Sequence, residues 1–206
     1  MTNNHIKQYL RTHDAGGHIH LVGPMASPPL QLNDPVIFVD GGAMCRENNI
    51  GIVVGDGDSF NGAMDHCLDP DKDFSDLAFA LSLVDARFDL LYLRGFLGGR
   101  RDHELFNLGE VNHFLSRRTR PAHVLLDDTV EAFSAGNWQF HCRGLFSLLV
   151  FVQTSLSLSG DCHYAIAPGT EVKPVSSFGL SNQGYGDIQL MTEGPAFIIR
   201  QDDNGA

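Results

Sequence analysis

A chain of 206 residues with 43% hydrophobic side chains can bury a real core, in one large domain or two small ones. Its net charge of -11 argues against nucleic acid or an anionic membrane surface as the main partner. The longest apolar run, around residues 145–152, is far too short to span a bilayer, and no basic start followed by an apolar core reads as a signal peptide. Cys45, Cys67, Cys142 and Cys162 lack CxxC spacing and read as reduced thiols of a cytoplasmic protein.

In chain order, residues 1–17 are polar, with one or two helical turns expected after Asn4, a stop at Gly16-Gly17 and a peripheral place in the fold. Residues 18–23 read as a first strand, where His18 and His20 flank Ile19 and are expected to pack at the surface. About ten residues lead to the next strand, 36–39, fewer than a parallel crossover normally needs. That strand ends in Asp40-Gly41-Gly42-Ala43, whose glycines serve either a close ligand approach or a tight turn.

The stretch 50–59 organises the first half. Ile50, Ile52, Val53 and Val54 mark a strand buried on both faces, which then delivers Asp56 and Asp58. In extended chain such i and i+2 carboxylates point the same way, and their repulsion is relieved by a shared hard cation. A solvated Asp-Gly-Asp turn is the alternative reading of the pair taken alone. Between Asp40 and Asp76 nine acids face only Arg46 and Lys72, which makes this segment a solvated face or a cation site.

A helix is expected next, with Ser75 or Asp76 as N-cap and Leu77, Leu81, Val84 and Phe88 on one face. A strand over 89–94 runs into Gly95-Phe96-Leu97-Gly98-Gly99-Arg100-Arg101-Asp102-His103 and a second helix with Leu105, Leu108, Val111 and Leu115 as its buried stripe. Glycines and an arginine ahead of a helix N-terminus make an anion site, although no Walker or GxGxxG pattern is present. Residues 124–126 add one more strand. Asp40, then Asp56 and Asp58, then the 98–102 segment all follow strand C-termini, the edge where open α/β sheets bind ligands.

From about residue 130 the pattern is all-β. Strands over 130–135 and 138–143 flank Gly136-Asn137, a hairpin signal, and short strands follow over 145–153, 155–159, 163–166, 171–175, 187–191 and 195–200. Residues 176–186 form a glycine- and amide-rich loop, suited to ligand contacts or simply a loop, and residues 202–206 are expected to be disordered. The fold class is therefore α/β: an N-terminal open, mostly parallel sheet with flanking helices over 1–129, then a small β-sandwich over 130–206.

Four motifs in order, Asp40-Gly41-Gly42-Ala43, Gly55-Asp56-Gly57-Asp58-Ser59, Asp71-Lys72-Asp73-Phe74-Ser75-Asp76 and Gly98-Gly99-Arg100-Arg101-Asp102-His103 with Asn107, resemble thiamine pyrophosphokinase. In weaker form the resemblance extends to Ser181-Asn182 and Gly194-Pro195, and it covers most of 18–199. It implies Mg2+-dependent transfer of diphosphate from ATP to the hydroxyl of thiamine, releasing AMP, in a homodimer with sites between subunits. A short glycine-rich edge and Trp138 in the β domain accord with the dimer.

By the same resemblance Asp56, Asp58 and Asp76 hold magnesium and Arg100 sits on phosphate. Asp40, Asp73 and Asp102 line the same cleft, one of them orienting the attacking hydroxyl. Gly41, Gly42, Ser59, Ser75, Gly98, Gly99, Arg100 and Asn107 contact the nucleotide, and Ser181 and Asn182 contact thiamine. The family's aromatic partner for thiamine has no clear match, and His163 or Tyr164 stands in its region. Two alternatives remain: a diphosphokinase for another hydroxymethyl heterocycle such as a pterin, and a thiamine- or nucleotide-binding regulator without turnover.

Overall fold

The structure, a computed structural model, describes residues 3–13, 16–30, 32–47 and 49–201. The expectation for 202–206 lies outside these residues. The chain forms two compact units, Met1–Phe114 and Leu115–Ala206.

The first unit carries a parallel sheet in the order β5-β1-β2-β3-β4, built from β1 (His18–Val22), β2 (Val36–Val39), β3 (Ile52–Gly55), β4 (His66–Cys67) and β5 (Leu90–Arg94). Every residue of β2 and β3 is buried, as their runs of branched apolar side chains require of strands covered on both faces. One apolar cluster joins Val22, Val36, Phe38, Ala43, Cys45 and Val53. β1 and β2 pair in parallel although, among the described residues, no helix lies between them.

Helix α1 (Asn3–Thr12) is longer than expected and is not peripheral. Ile6 and Leu10, one turn apart, are 1% exposed. The Tyr9 hydroxyl donates to the Ile50 carbonyl at 2.9 Å and accepts the Val36 N–H at 3.2 Å, tying the helix to the sheet. His20 also departs from its expected surface place: it is buried and stacks on Tyr92 at 4.7 Å.

Helix α2 (Asp76–Leu83) starts where expected, with the Ser75 Oγ accepting the Ala78 N–H at 3.0 Å. It ends at Leu83, so Phe88 is buried from the turn before β5 and not from the helix. In α3 (Arg101–Ser116) the buried stripe begins late. Val111, Asn112 and Leu115 are buried, whereas Leu105 is 59% exposed. Among the described residues no helix is long and apolar enough to cross a membrane.

The second unit is one antiparallel sheet in the order β10-β9-β11-β8-β12-β7-β6. Its strands are β6 (His123–Leu126), β7 (Val130–Phe133), β8 (Gly136–Leu149), β9 (Thr154–Cys162), β10 (Ile166–Val172), β11 (Asn182–Thr192) and β12 (Ala196–Arg200). The units divide earlier than residue 129 because β6 pairs antiparallel with β7 and so belongs with the β-rich half. The expected hairpin at Gly136-Asn137 does not form. β12 inserts between β7 and β8, and both turn residues already pair with Thr192 and Met191 of β11. The expected loop 176–186 is likewise half strand, since β11 starts at Asn182.

Along β8 and β11 even-numbered side chains face a core that includes Phe140, Phe146, Leu148, Ile188 and Leu190. Phe140 and Phe146 lie six residues apart, about 20 Å in a straight strand, yet their ring centroids are 5.7 Å apart. The sheet therefore folds over between them, where Gly144 (φ 127°) pairs with Gly184. A Cβ on Gly184 would lie 2.6 Å from the Cys142 carbonyl oxygen, so a side chain there would block the bend. The expected sandwich is thus one hydrogen-bonded sheet closing on its own face. Trp138 belongs to this packing and not to an edge: its ring lies 5.2 Å from that of Phe133, and its indole N–H donates to the Ser134 carbonyl.

Candidate active site

Parallel β2 and β3 end side by side, so the chain leaves both at the same edge of the sheet. β2 delivers Asp40 and β3 delivers Asp56. Asp40 opens a 3-10 turn (Asp40–Cys45) with φ 47°, a left-handed conformation that aspartate and asparagine tolerate better than most residues. Such strain at a ligand-facing edge is characteristic of functional sites. Gly42 makes the turn fit, because a Cβ there would lie 2.0 Å from the Val22 carbonyl oxygen. The cap at Ser75 brings in a third carboxylate, Asp76, in the first turn of α2.

Carboxylate oxygens of Asp40, Asp56 and Asp76 all lie within 4.8 Å of one another. The Lys72 ammonium sits among them, 2.6 Å from Asp56 Oδ2 and 3.0 Å from Asp76 Oδ1, with its side chain only 7% exposed. Among the described residues Asp40 Oδ1 is buried without a hydrogen-bond partner. These groups line a cleft of ≈ 360 Å³, with Pro24, Phe96, His103 and Asn107 among its other walls. That volume is in the range of small-molecule sites.

The charges are unequal. Burial pushes the Asp40 carboxyl above its ordinary value, with the Asp58 and Asp56 charges adding to it and the Ser59 hydroxyl and Gly41 N–H opposing it. Burial likewise raises Asp76 despite Lys72. Asp56 is lowered, because the hydrogen bond from Lys72 outweighs its burial. For Lys72, burial pulls the ammonium down, and the hydrogen bonds to Asp56 and Asp76 more than restore it, leaving it raised. At Asp76 burial is the larger influence and at Asp56 the Lys72 hydrogen bond is, so the two acids shift in opposite directions.

A carboxyl with a raised folded pKa binds its proton more tightly in the native state than in the unfolded chain. Its ionisation weakens the fold as pH rises from the ordinary 3.8 through the raised value. Asp40→Asn removes that charge and keeps a residue suited to φ 47°. It should therefore stabilise the protein at pH 7 by about 0.5–2 kcal/mol, while impairing whatever chemistry the cleft performs. Thermal melts of both forms at pH 7 check this, and a lower Tm for the variant would contradict it.

The structure brings Asp56 and Asp76 together with Asp40, and leaves Asp58 outside that group. Gly57 (φ 85°) bends the chain, so Asp56 and Asp58 are not in extended register. The Asp58 N–H turns back onto Asp56 Oδ1, and its Oδ1 accepts from the Ser59 hydroxyl. Asp58, Ser59 and Ser75 still line the cleft. Gly41 is buried beside Pro24 and Ser59.

Asp73 is exposed and is not among the described cleft-lining residues. The same holds for Arg100 and Asp102, which pair with each other at 2.5 Å, the guanidinium holding the Asp102 carboxyl down at about 2. The Gly98 N–H donates to Glu104 Oε1, so one arm of the expected anion cradle is occupied within the chain, and Gly99 is exposed beside Met25. From α3 it is His103 and Asn107, one turn apart, that reach the cleft, and the Asn107 amide donates to the Phe96 carbonyl at 2.7 Å.

In the second unit Ser181, Asn182, His163 and Tyr164 do come together. Asn182 is 6% exposed, and its amide is committed to the backbone. Its Oδ1 accepts the N–H groups of Tyr164 and Gln183 at 2.9 and 2.8 Å, and its Nδ2 donates to the Tyr164 carbonyl at 2.8 Å. It therefore holds the turn that carries His163 and Tyr164, whose exposed rings meet edge to face at 4.4 Å. Ser181, also exposed, has φ 58° and its N–H donates to the Ser147 hydroxyl.

Sequence reasoning missed Lys72 and His103 as cleft residues. For His103 a signal was present, since it shares a helical face with Asn107, whereas Lys72 precedes α2 and no helical spacing points it at Asp76.

No protein-family model matches the chain, and no curated protein matches it by sequence. Solved structures do. Thiamine pyrophosphokinase from Bacillus subtilis matches with a TM-score of 0.70 and 19% identity over 90% of this chain and 99% of its own. The enzyme from Geobacillus thermodenitrificans gives 0.68 and 21% over 91% and 99%. The Candida albicans enzyme gives 0.64 and 12% over 94% and 91%. The chain has the thiamine pyrophosphokinase fold. Fold alone does not assign chemistry, which rests on the side chains of the cleft.

Proposed function

We propose that this protein is a thiamine pyrophosphokinase, transferring diphosphate from ATP to the hydroxyl of thiamine and releasing AMP. The observation that carries this reading is the convergence of Asp40, Asp56 and Asp76 on one cation-sized position at the strand ends of the pyrophosphokinase fold. Hard carboxylate oxygens at this spacing, one of them buried and unpartnered, suit Mg2+. Bound there by Asp40, Asp56 and Asp76, the ion would supply charge neutralisation for the phosphates.

The chain's own residues carry the rest. Transfer at phosphorus needs positioning and charge compensation more than covalent help. Lys72 places a positive charge inside the cleft, and Ser59, Ser75, His103 and Asn107 offer polar groups along its walls. Of the acids expected to orient the attacking hydroxyl, only Asp40 lines the cleft, so it takes that role in preference to Asp73 or Asp102. Arg100 is exposed and paired with Asp102, so its part in phosphate binding requires it to leave that pair. Ser181, His163 and Tyr164 form the thiamine contact, with Asn182 as their support, and the active protein is a cytoplasmic homodimer.

Incubation with ATP and Mg2+ against a panel of alcohols tests the acceptor. AMP should appear with thiamine. AMP with a pterin alcohol and none with thiamine would transfer the assignment to another diphosphokinase. Binding of thiamine without AMP would make the protein a regulator.

A further inference from the structure

Lys72 is the only lysine or arginine lining the cleft among the described residues, and its ammonium contacts two of the three clustered carboxylates. Three acids at this spacing repel one another unless a positive charge stands between them. In the structure that charge is the ammonium, at contact distance from two of the three. It reaches them from the segment just before α2, four residues ahead of Asp76, on a long flexible stem that can swing without moving the backbone.

We propose that Lys72 is an internal counter-ion that competes with the divalent cation for Asp56 and Asp76, holding the site assembled in its absence and being displaced when the cation enters. The inference rests on the cation-binding reading above and adds an exchange to it. An ammonium and a divalent ion cannot both sit within about 3 Å of the same carboxylate oxygens without strong repulsion. Once released, the ammonium remains in the cleft, where the nearest new anions would be phosphate oxygens of the bound nucleotide. The arrangement holds the acids together before the cation arrives, and delivers a positive charge to the phosphates as a consequence of its arrival. Lys72 is thus a positioning residue whose role changes with occupancy.

Calorimetric titration of Mg2+ into the full-length wild type, Lys72→Gln and Lys72→Arg, without nucleotide, tests the competition directly. Lys72→Gln should bind the cation roughly tenfold more tightly or better, because its competitor is gone. It should also melt lower than wild type without Mg2+ and recover when Mg2+ is saturating. Lys72→Arg, which keeps the charge, should show no tightening.

The wild type provides a second reading that needs no variant. Acetylation of Lys72, followed by mass spectrometry against the exposed Lys7 and Lys173, should accelerate by about fivefold or more on adding Mg2+, as the protected ammonium is released. Equal or weaker Mg2+ affinity in Lys72→Gln, or unchanged labelling of Lys72 in a wild type that binds Mg2+, overturns the exchange while leaving the cation site intact. Absence of Mg2+ binding in both wild type and Lys72→Gln overturns the cation site and the exchange together.

Discussion

Asp56→Asn should lower kcat/KM for ATP by about 10³-fold, the scale expected when a preorganised charge at the reacting phosphates is lost. The substitution keeps the shape of the side chain and one oxygen, so the change falls on charge. Asp56 is the acid bound most closely by Lys72 and the one held below its ordinary pKa. Its stabilising contribution is therefore present above the ordinary carboxylate value of 3.8 and is lost as pH falls through the lowered one. Removing it at pH 7 should cost about 1.5–3 kcal/mol, the range for a hydrogen bond to a charged group.

Asp40→Asn should also be inactive, yet melt higher. Two neighbouring acids in one cleft thus give opposite stability effects with the same functional loss. Circular-dichroism melts of the two variants beside AMP assays separate the outcomes. If both variants melt lower, the account of Asp40 as a buried, strained and partly unsatisfied carboxylate is wrong.

Asn182→Ala should destabilise the second unit by about 2–3 kcal/mol, because three backbone partners lose a buried amide together. The loss should be local, with faster amide exchange at Tyr164 and Gln183. Under the proposed function the KM for thiamine should rise roughly tenfold or more as the His163–Tyr164 turn loosens, with the KM for ATP nearly unchanged. The cause would be lost support and not a lost contact with the ring. An unchanged Tm would show that the amide does not hold the turn, and a loss confined to ATP would place these residues in the wrong pocket.

Much of the first unit was legible because its strands are short apolar runs ending in polar motifs, and a parallel sheet puts such ends on one edge. The placing of Asp40 and Asp56 at one edge followed from that logic, whereas Asp76, which opens a helix, was joined to Asp56 only through the family resemblance. Asp58 did not, because a positive φ at Gly57 cancels the extended geometry on which the i and i+2 argument depended. Lys72 lies inside one of the motifs, but only the fold shows that its ammonium bridges the residue after β3 and the start of α2.

In the second unit local signals misled where distant strands intervened. Gly136-Asn137 has hairpin chemistry, but β12, sixty residues further on, takes the place beside β7. The alternation that marks β11 runs back through Tyr185, Gly184 and Gln183 to Asn182, and the glycines masked it because they carry no side chain to count. The exposed Leu105 failed the helical stripe for a different reason: periodicity gives a face, and tertiary packing decides how much of that face is covered.

Under the proposed function this cleft moves diphosphate as a unit from ATP to an alcohol with the help of a divalent cation. Phosphorus-31 NMR of the protein with ATP, thiamine and Mg2+ tests it most directly. AMP and thiamine diphosphate should appear in equal amounts, and neither should form when EDTA replaces Mg2+. Formation of ADP or free diphosphate with no diphosphorylated thiamine, or the same yield with EDTA, would contradict it.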